Sequence, residues 1–533
     1  MKYAFLLLIL FLCRAASAQP ANVTISETTL FDGEPYLAAN PTNADNLVIA
    51  WMSYVPNPAV PILDQIGIRV KSSFDGGKTW GNELTMPHFV PTYHSADVSM
   101  GFHRDGTLYI EYIDYRERPD SGVIVVAHST DGGKSWSAPI KAFDLYDNDD
   151  KPIDRPWIAI DNSGSATDGT IYITTKPAPF DTLPNRPYMK YSTNGGMTWS
   201  KIDTVDGGDY PTTLIAAPMV SPAVTASGVF CATYVSWSLR KSAFPRYTLA
   251  TSTDFGHTYT RTTINTPKTG FNKDTLSKLG YHLSVDPSDP MKMLFVWPDS
   301  RDGDNDVYSS YSIDGGATWS AGLRVNDDPI NNGVWQDLIW SNFSDNGKCV
   351  VSWRDRRNGV GTEYAQGSDI YFAVSTDGGK SFGKNIRLSD QTASFNQVLN
   401  GAGNDFHSTS IVHDSICATW GDVRTGKLTI YFAKASLADG IAAVTTLSDR
   451  GSDGVSIYPN PTSIAITIEL PGSPSAEVFI YDISGKEVYH EGVASIHSSS
   501  VRSLDLSNLG DGAYTLLVRT PKEIYAKKLT VRH

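Results

Sequence analysis

Short apolar segments separated by turn residues recur along most of the chain. In each repeat a first segment follows a loop, and a second ends at an aromatic residue, as in Leu47–Trp51 and Leu294–Trp297. A third segment, such as Tyr371–Val374, leads into a glycine-rich turn, and a fourth follows the turn. Short runs of apolar and β-branched residues bounded by turn residues predict strands. The chain is therefore predicted to be all-β, with four strands in each repeat.

The pattern occurs seven times between residues 30 and 440, although a count of six remains open. The last copy consists of Ser410–Val412, Ile416–Trp420 and Leu428–Ala433. Near the beginning of the chain, Val23–Ile25 is predicted to return as the outer strand of this last repeat. Such a closed ring would leave no long exposed strand edge.

Six of the repeats carry one turn motif, whose most complete form is Ser-x-Asp-Gly-Gly-x-Thr/Ser-Trp. The copies start at residues 56 to 63 positions apart, namely Ser73, Ser129, Ser192, Ser252, Ser312 and Ser375. Glycine adopts positive φ without a Cβ clash, and an Asp carboxylate accepts backbone N–H groups inside a turn. The motif therefore predicts a hairpin turn. A structural role is favoured, because one active site does not need six copies.

These turns resemble the Asp-boxes of the sialidase superfamily. The resemblance implies a β-propeller, six-bladed in that family, with each box between the third and fourth strands, on the face opposite the active site. The seven repeats counted here favour seven blades over six. It also implies an exo-α-sialidase-like glycoside hydrolase. In that family three arginines bind the substrate carboxylate, a tyrosine with a glutamate partner is the nucleophile, and an aspartate is the acid/base. The family's Arg-Ile-Pro motif is absent, since the first strand here reads Glu34-Pro35-Tyr36-Leu37-Ala38.

Candidate site residues lie where the first strands begin, because those loops open on the face away from the boxes. Residues found in only one repeat are the better candidates. The predicted catalytic residues are Glu34, Tyr36, His94, Asp97, Tyr281, His282 and His407, and Asp405 accompanies the last of them. The predicted substrate-binding residues are Asp154, Arg155, Trp157, Trp335 and Asp337. Their convergence at one channel mouth would form an acid–base pocket.

A second repeat, aromatic-x-Asp-x-Arg, ends four of the second strands. Its copies are Tyr112–Arg116, Trp297–Arg301, Trp353–Arg357 and Trp420–Arg424. The arginines could form a ring that binds an acidic sugar, since guanidinium binds carboxylate in a bidentate manner. Alternatively, each Asp–Arg pair could support its own loop. Four copies favour the structural alternative.

Three functional hypotheses follow. The first is the sialidase-like glycoside hydrolase. The second is a polysaccharide lyase, in which His282 with Tyr281 would abstract a proton beside a uronate bound by Arg155. The third is a non-catalytic propeller that binds a glycan or a protein. The predicted partner is a carbohydrate or glycoconjugate, and the formal net charge of −13 argues against nucleic acid.

No organic cofactor is predicted. The acidic loop formed by Asp302, Asp304 and Asp306 offers oxygen ligands and could bind Ca²⁺. After removal of a signal peptide, three cysteines remain, at Cys231, Cys349 and Cys417. Each lies in an apolar strand, and the odd number excludes a fully paired set. They are predicted to be buried thiols, with a Cys349–Cys417 disulfide as the alternative.

Residues 1–18 read as a signal peptide, because the apolar run Ala4–Leu12 is too short to span a bilayer and is followed by Ala16-Ser17-Ala18. No other segment is long and apolar enough for a membrane span. The predicted domains are a propeller over residues 19–445, a linker over residues 446–454 and a small β-sandwich over residues 455–533.

The C-terminal domain carries Tyr458-Pro459-Asn460-Pro461, a turn at Asp482–Lys486, the strand Gly512–Val518 and a terminal Lys528-Leu529-Thr530-Val531. These motifs resemble the type A sorting domain of the type IX secretion system. The resemblance implies the secretion machinery as a partner and export through the periplasm, to the medium or to the outer cell surface. A carbohydrate-binding module is the alternative.

Overall fold

The computed structural model describes residues 21–27, 31–55, 65–116, 122–144, 153–177, 185–215, 218–266, 280–360, 366–393, 404, 407–446, 456–469, 476–482, 486–493, 501–519 and 524–533. The predicted signal peptide, Asp405 and nearly all of the predicted linker lie outside these residues. The chain forms two compact units, divided between Gly440 and Ile441. Within the described residues the only helix is α1 (Leu437–Thr446), so the all-β prediction is confirmed.

The first unit contains seven four-stranded antiparallel sheets within the described residues. Each is one blade of a propeller. Blades 1 to 3 are β2–β5 (Asp32–Ala39, Leu47–Val55, Gln65–Ser73, Leu84–Thr85), β6–β9 (His94–Phe102, Leu108–Tyr115, Gly122–Ser129, Ile140–Asp144) and β10–β13 (Ile153–Ile160, Ile171–Pro177, Tyr188–Ser192, Asp203–Thr204). Blades 4 and 5 are β14–β17 (Val220–Val224, Phe230–Ser236, Arg246–Ser252, Thr260–Asn265) and β18–β21 (His282–Val285, Met293–Asp299, Asp306–Ser312, Leu323–Arg324). Blade 6 is β22–β25 (Gln336–Phe343, Cys349–Asp355, Asp369–Ser375, Ile386–Arg387), and blade 7 is β26–β28 (Ser408–Val412, Ser415–Asp422, Thr429–Ser436) with β1 (Val23–Thr24) as its outer strand.

The seven blades close into a ring. The first strand of each blade packs against the first strand of the next, and β26 of blade 7 packs against β2 of blade 1. Strand β1 pairs with β28, and the Ile25 N–H donates a hydrogen bond to the Ile430 carbonyl at 2.8 Å. The preferred count of seven and the closing role of residues 23–25 are both confirmed.

Buried serines link the first strands of neighbouring blades. The hydroxyl oxygens of Ser99, Ser221 and Ser408 each accept the backbone N–H of a residue in the next blade, at 3.0, 3.1 and 3.0 Å respectively. These bonds satisfy strand N–H groups that face a neighbouring blade rather than their own sheet. They fix the first strands around the central channel.

The Asp-boxes are turns between the third and fourth strands, as the resemblance implied. In the first box the Ser73 hydroxyl oxygen accepts the Gly77 N–H at 2.9 Å. The Asp75 carboxylate accepts the Thr79 N–H at 2.9 Å and the Thr79 hydroxyl at 2.5 Å. Hydrogen bonds from the Thr79 side chain and backbone lower the pKa of Asp75 to about 2. The carboxylates of these turns are therefore committed to holding the loop.

The second glycine of a box packs against the preceding blade, which gives a prediction within a single box. In the last box both glycines have positive φ, 77° at Gly378 and 91° at Gly379. A Cβ on Gly379 would lie 2.8 Å from Leu294 Cδ1, whereas a Cβ on Gly378 would meet nothing within 4 Å. We expect Gly378→Ala to lower the free energy of unfolding by about 1–2 kcal/mol, the cost of a left-handed residue. Gly379→Ala should cost about 1–3 kcal/mol more, because it also overpacks the interface between blades.

Chemical denaturation of the two variants checks this comparison. Equal losses of stability would show that the interface between blades adapts to the extra methyl group and that only the backbone conformation matters.

The aromatic-x-Asp-x-Arg repeat is structural in three of its four copies. In blades 5, 6 and 7 the Trp indole N–H donates to the Asp carboxylate at 2.8–3.0 Å. The following Arg guanidinium binds the same carboxylate at 2.5–2.8 Å and lies over a tyrosine ring of the next strand, 4.1–4.4 Å from its centroid. We call this arrangement the Asp–Arg brace. Its members are Asp299 with Arg301, Asp355 with Arg357, and Asp422 with Arg424.

The second unit is a β-sandwich, as predicted. One sheet contains β29 (Ser456–Tyr458), β30 (Ala465–Glu469) and β33 (Val501–Asp505). The other contains β31 (Ala476–Tyr481), β32 (Glu487–Val493), β34 (Gly512–Arg519) and β35 (Ile524–Val531). The two sheets share one apolar core that includes Ile466, Val478, Leu516 and Leu529.

The three cysteines of the described residues are free and buried, as predicted. Burial raises the pKa of the Cys231 and Cys417 thiols to about 12, so they behave as small apolar residues. Within the described part of the chain, no helix is long and apolar enough to cross a membrane.

Candidate active site

The end of the channel opposite the Asp-boxes, called the mouth here, is shaped by a backbone irregularity in four first strands. In blades 1, 2, 3 and 6 the register with the second strand shifts at a β-bulge. One residue of each bulge is left-handed, with φ of 48–52°, namely Glu34, Asp97, Arg155 and Leu338. A bulge redirects side chains, and left-handed non-glycine residues concentrate at functional sites. Three of these four positions carry charged side chains from adjacent blades.

The charged side chains of blades 1 to 3 form one cluster. The Asp97 carboxyl hydrogen-bonds to Asp154 and to Glu34. The Lys176 ammonium, on the second strand of blade 3, lies 2.5 Å from the Asp154 carboxylate, and Arg155 adds a second positive charge. Glu34 is 2% exposed, whereas Asp97 and Asp154 are half-buried. Solvent and a ligand can therefore reach the two aspartates.

The cluster separates the protonation states of two neighbouring carboxyl groups. Burial raises the pKa of Asp97 to about 7, and the Asp154 carboxylate adds to the increase against the charge of Arg155. Burial alone would raise the pKa of Asp154, but the charges of Lys176 and Arg155 outweigh it and lower that pKa to about 2. Of the two carboxyl groups, Asp97 is therefore the one that favours the protonated form. Two carboxyl groups with separated pKa values are a recurring arrangement for acid–base catalysis.

Aromatic side chains surround the cluster. Burial raises the pKa of the half-buried Tyr115, and Asp97, Glu34 and Asp154 increase it further, so the phenol is neutral and close to all three. The His94 ring lies 5.7 Å from the Tyr115 ring, and its Nδ1 accepts the Ile66 N–H at 3.1 Å. His94 is therefore part of the wall of the site, with a backbone partner.

An aromatic cluster occupies the centre of the channel. The rings of Tyr36, Trp157 and Trp340 contact one another, with centroids 5.6–5.9 Å apart. His282 stacks on Trp340 at 4.3 Å, and burial lowers the pKa of His282 to about 3. Tyr36 and Trp157 are half-buried and follow Glu34 and Arg155 by two residues. They place an aromatic surface next to the charged cluster.

Residues 116–408, more than half of the 533 residues, match the BNR repeat-like domain family. The chain belongs to this family. Residues 456–532 match the secretion system C-terminal sorting domain family. The chain is therefore a BNR repeat-like propeller with a C-terminal sorting domain. No curated protein matches it.

Solved structures with some likeness to the BNR repeat-like propeller include glycosidases. An α-L-arabinanase of Penicillium chrysogenum is 13% identical with a TM-score of 0.42, over 79% of this chain and 99% of that one. The NanB sialidase of Streptococcus pneumoniae is 10% identical with a TM-score of 0.40, over 79% and 70%. A Trypanosoma rangeli sialidase is 9% identical with a TM-score of 0.41, over 96% and 87%. Likeness at this level does not establish a shared activity.

The remaining predicted residues lie away from the charged cluster. The Tyr281 hydroxyl donates to the Met219 carbonyl at 2.7 Å, and its ring packs on Tyr247 and Phe295 of blades 4 and 5. Adjacent residues of a strand face opposite sides. Tyr281 therefore does not join His282 in the channel, and the structure does not assemble the predicted lyase pair.

A second charged group lies in blades 6 and 7. Asp337 is fully buried and is bound by Arg354 at 2.5 Å and by Arg356 at 2.8 Å. Arg356 also donates to the Trp335 carbonyl at 3.1 Å. His407 is buried and shares a hydrogen bond with the Ser352 hydroxyl at 2.9 Å, and its pKa falls to about 3 through burial and the charge of Arg354. This group is internally paired and buried.

The acidic loop of blade 5 divides its carboxylates among separate partners. Asp302 accepts the Tyr308 hydroxyl, Asp304 accepts the Gly333 N–H at 2.7 Å, and Asp306 binds Arg324 at 2.6 Å. Across the described ranges, no three carboxylate, imidazole or thiol side chains form a group that could hold a metal. Calcium binding at this loop stays a prediction.

Three residues of the channel and its mouth were not among the sequence candidates, namely Lys176, Tyr115 and Glu111. Lys176 and Tyr115 are near the ends of second strands, where only the register with the first strand brings them to the site. Glu111 is buried, close enough to Tyr36 to raise the pKa of its phenol, and accepts the Ser99 hydroxyl at 2.5 Å; burial raises the pKa of Glu111 itself. The available signal was a carboxyl group flanked by apolar or aromatic residues within a strand, as at Glu111 between Ile110 and Tyr112.

Proposed function

We propose that the protein is an exported glycoside hydrolase that acts on a glycan at the mouth of the propeller. The observation that carries the proposal is the set of three hydrogen-bonded carboxyl groups, with Asp97 between Asp154 and Glu34, on the face opposite the Asp-boxes, where burial raises the pKa of Asp97 to about 7. A carboxylic acid that keeps its proton near neutral pH can protonate the leaving-group oxygen of a glycosidic bond. The predicted signal peptide and the sorting domain supply the route of export, by type IX secretion to the medium or the cell surface.

The other residues of the cluster take complementary roles. In a sialidase-like mechanism Tyr115 attacks the anomeric carbon and Asp97 gives its proton to the departing oxygen. Glu34, which hydrogen-bonds to Asp97, passes its own proton to the ionised Asp97 and takes the proton of Tyr115. Tyr115 lies close enough to Glu34 for the carboxylate to raise the pKa of the phenol. Arg155 would bind an anionic or hydroxyl group of the sugar. Trp157 and Tyr36 would stack on its apolar face.

One observation favours the non-catalytic alternative. A sialidase binds the carboxylate of its substrate with three arginines, and here the guanidinium groups of the Asp–Arg braces are held by their own aspartates. Arg354 and Arg356 are likewise bound to Asp337. Among the described residues, only Arg155 joins the charged cluster. A propeller that binds a glycan without cleaving it is therefore the second candidate.

A panel of chromogenic glycosides tests the proposal. The panel contains an α-sialoside, neutral pentosides and hexosides, and a uronide polymer. We expect the full-length protein to release aglycone from at least one glycoside, and Glu34→Gln to lose at least about 100-fold of that rate. Glu477→Gln, a half-exposed position in the second unit, is the matched control and should retain full activity.

Other outcomes contradict the hydrolase. Glycan binding without release identifies a binding propeller. Formation of an unsaturated uronate at the new non-reducing end, which hydrolysis does not produce, identifies a lyase.

A further inference from the structure

The cross-strand neighbour of Asp154 is a lysine that is almost fully enclosed. In blade 3 Asp154 of β10 pairs with Lys176 of β11, and the Thr175 hydroxyl donates to the Asp154 carbonyl at 2.8 Å. The Lys176 side chain is 4% exposed, compared with 26% for Asp154. A buried ammonium needs an anion beside it, because an unpaired charge is costly to bury. Asp154 is the carboxylate that this lysine contacts.

Four further charged or titratable groups, from four strands, surround this pair. Asp97 comes from β6, Glu34 from β2, Tyr115 from β7 and Arg155 from β10. Three carboxyl groups face two cations, so complete ionisation would leave one negative charge in excess within a partly buried cluster. The hydrogen bond between Asp97 and Asp154 needs a proton on one of the two carboxyl groups. Lys176 touches only one member of that pair.

We propose that Lys176 is a positioning residue that keeps Asp154 ionised and thereby places the shared proton of the site on Asp97. Asp154 already has the ammonium hydrogen bond, so it is the acceptor in the Asp97–Asp154 hydrogen bond and Asp97 is the donor. The catalytic consequence rests on the proposed function, since it is Asp97 that would protonate the leaving group. The proton placement itself does not depend on any substrate.

Blade 6 contains the same pair without the same surroundings. Asp337 and Arg354 occupy the register positions of Asp154 and Lys176, and the left-handed residue that follows is Leu338 rather than Arg155. Asp337 is fully buried and bound by two guanidinium groups. The Asp–cation pair by itself is therefore part of the scaffold. In blade 3 the Asp154 member of the pair is partly exposed to solvent, and it lies beside a second carboxyl group, that of Asp97. The pair can therefore determine which of the two carboxyl groups carries the proton.

Carbon NMR of the full-length protein labelled at the aspartate carboxyl carbon tests the proposal. Asp97→Asn and Asp154→Asn assign the two signals by difference. In the wild type we expect the Asp97 signal to titrate near pH 7 and the Asp154 signal to stay ionised down to a pH of about 2. In Lys176→Met the Asp154 midpoint should rise by about 1–3 pH units, the usual effect of losing an adjacent opposite charge. Lys176→Arg should restore the wild-type titration.

The controls separate proton placement from packing. Arg354→Met breaks the matching pair in blade 6 and should leave both titrations unchanged. If Lys176→Met does not fold, Lys176→Gln keeps a hydrogen-bond donor without the charge and carries the same expectation. An unchanged Asp154 midpoint in a folded, uncharged variant overturns the proposal.

The NMR titrations and the glycoside assays test the two proposals separately. A shifted Asp154 titration in a protein that cleaves no glycoside supports the proton placement and rejects the hydrolase. Glycoside cleavage with unshifted titrations rejects the proton placement alone.

Discussion

Asp97→Asn should lower kcat/KM for glycoside hydrolysis by about 10²–10⁴-fold, the usual contribution of a positioned acid or base. Asparagine has nearly the same shape as aspartic acid, and it can still donate a hydrogen bond to Asp154. It has no proton to give to a leaving group. The loss should be smaller for substrates whose leaving group is a good anion, such as an activated phenol, because these need less protonation.

The pH profile of the wild type supplies a second measurement of the same group. Asp97 acts in its protonated form, which is present below its pKa and is lost above it. Because burial and Asp154 raise that pKa to about 7, activity should fall on the alkaline side with a midpoint near neutral pH. An aspartic acid at its ordinary pKa would give a midpoint near 4.

The stability of Asp97→Asn shows whether its loss of activity comes from a missing catalytic group or from a damaged structure. A carboxyl group whose pKa is higher in the folded state than in the unfolded state stabilises the folded protein at pH values below its unfolded-state pKa. This stabilisation is lost as the pH rises through the folded-state pKa. Ionised Asp97 therefore opposes folding above neutral pH, and Asp97→Asn should be at least as stable as the wild type at pH 8. An inactive variant that is also unstable at this pH would contradict the assignment, and so would a fully active one.

The propeller was predictable because its signals are local and repeated. Each Asp-box is a turn whose hydrogen bonds lie within one short segment, such as the Ser73 to Thr79 turn. The seventh blade, which carries no box, was recognisable from its apolar second strand around Ile416 and Cys417. Even the closing strand could be inferred, since a ring of sheets needs an outer strand for its last blade.

The site was less predictable, because it depends on register and on backbone irregularity. Glu34, Asp97 and Arg155 were found as charged residues at the starts of first strands. The bulges that aim them toward one another leave no clear mark in the sequence, since glycine is absent from all four left-handed positions. Lys176 and Tyr115 needed the pairing of second strands with first strands, which only the structure gives.

Two further candidates show how strand geometry limits such reasoning. Tyr281 and His282 are adjacent, and a strand sends adjacent side chains to opposite faces, so one enters the core between blades 4 and 5 and the other enters the channel. Asp337 was a candidate because the sequence does not distinguish an active-site aspartate from one that pairs with a cation inside the scaffold. In the structure two arginines bind the fully buried carboxylate, so Asp337 is the structural partner.

Ile25→Ala should strongly destabilise the propeller, because it opens a cavity in the core where the ring closes. The Ile25 side chain is fully buried in a core that joins the two ends of the ring, with Leu37 and Trp51 of blade 1 and Ile430 of blade 7. Removing three carbons from a packed core costs about 2–5 kcal/mol. Thr24→Ala is the matched control, because Thr24 precedes it on the same segment and is exposed, so its effect should stay within about 0.5 kcal/mol.

The effect is concentrated here because this segment, from the beginning of the chain, supplies the outer strand of the last blade out of sequence order. The Ile25 N–H and carbonyl bind Ile430 of blade 7 and the Lys71 ammonium of blade 1, both at 2.8 Å, so a cavity at this side chain weakens both contacts at once. Without β1, blade 7 would present the unpaired edge of β28 to solvent. Denaturant titrations followed by tryptophan fluorescence would measure both variants. If Ile25→Ala and Thr24→Ala lowered the midpoint equally, the ring would be held by the packing of β26 on β2, and β1 would be only an accessory edge strand.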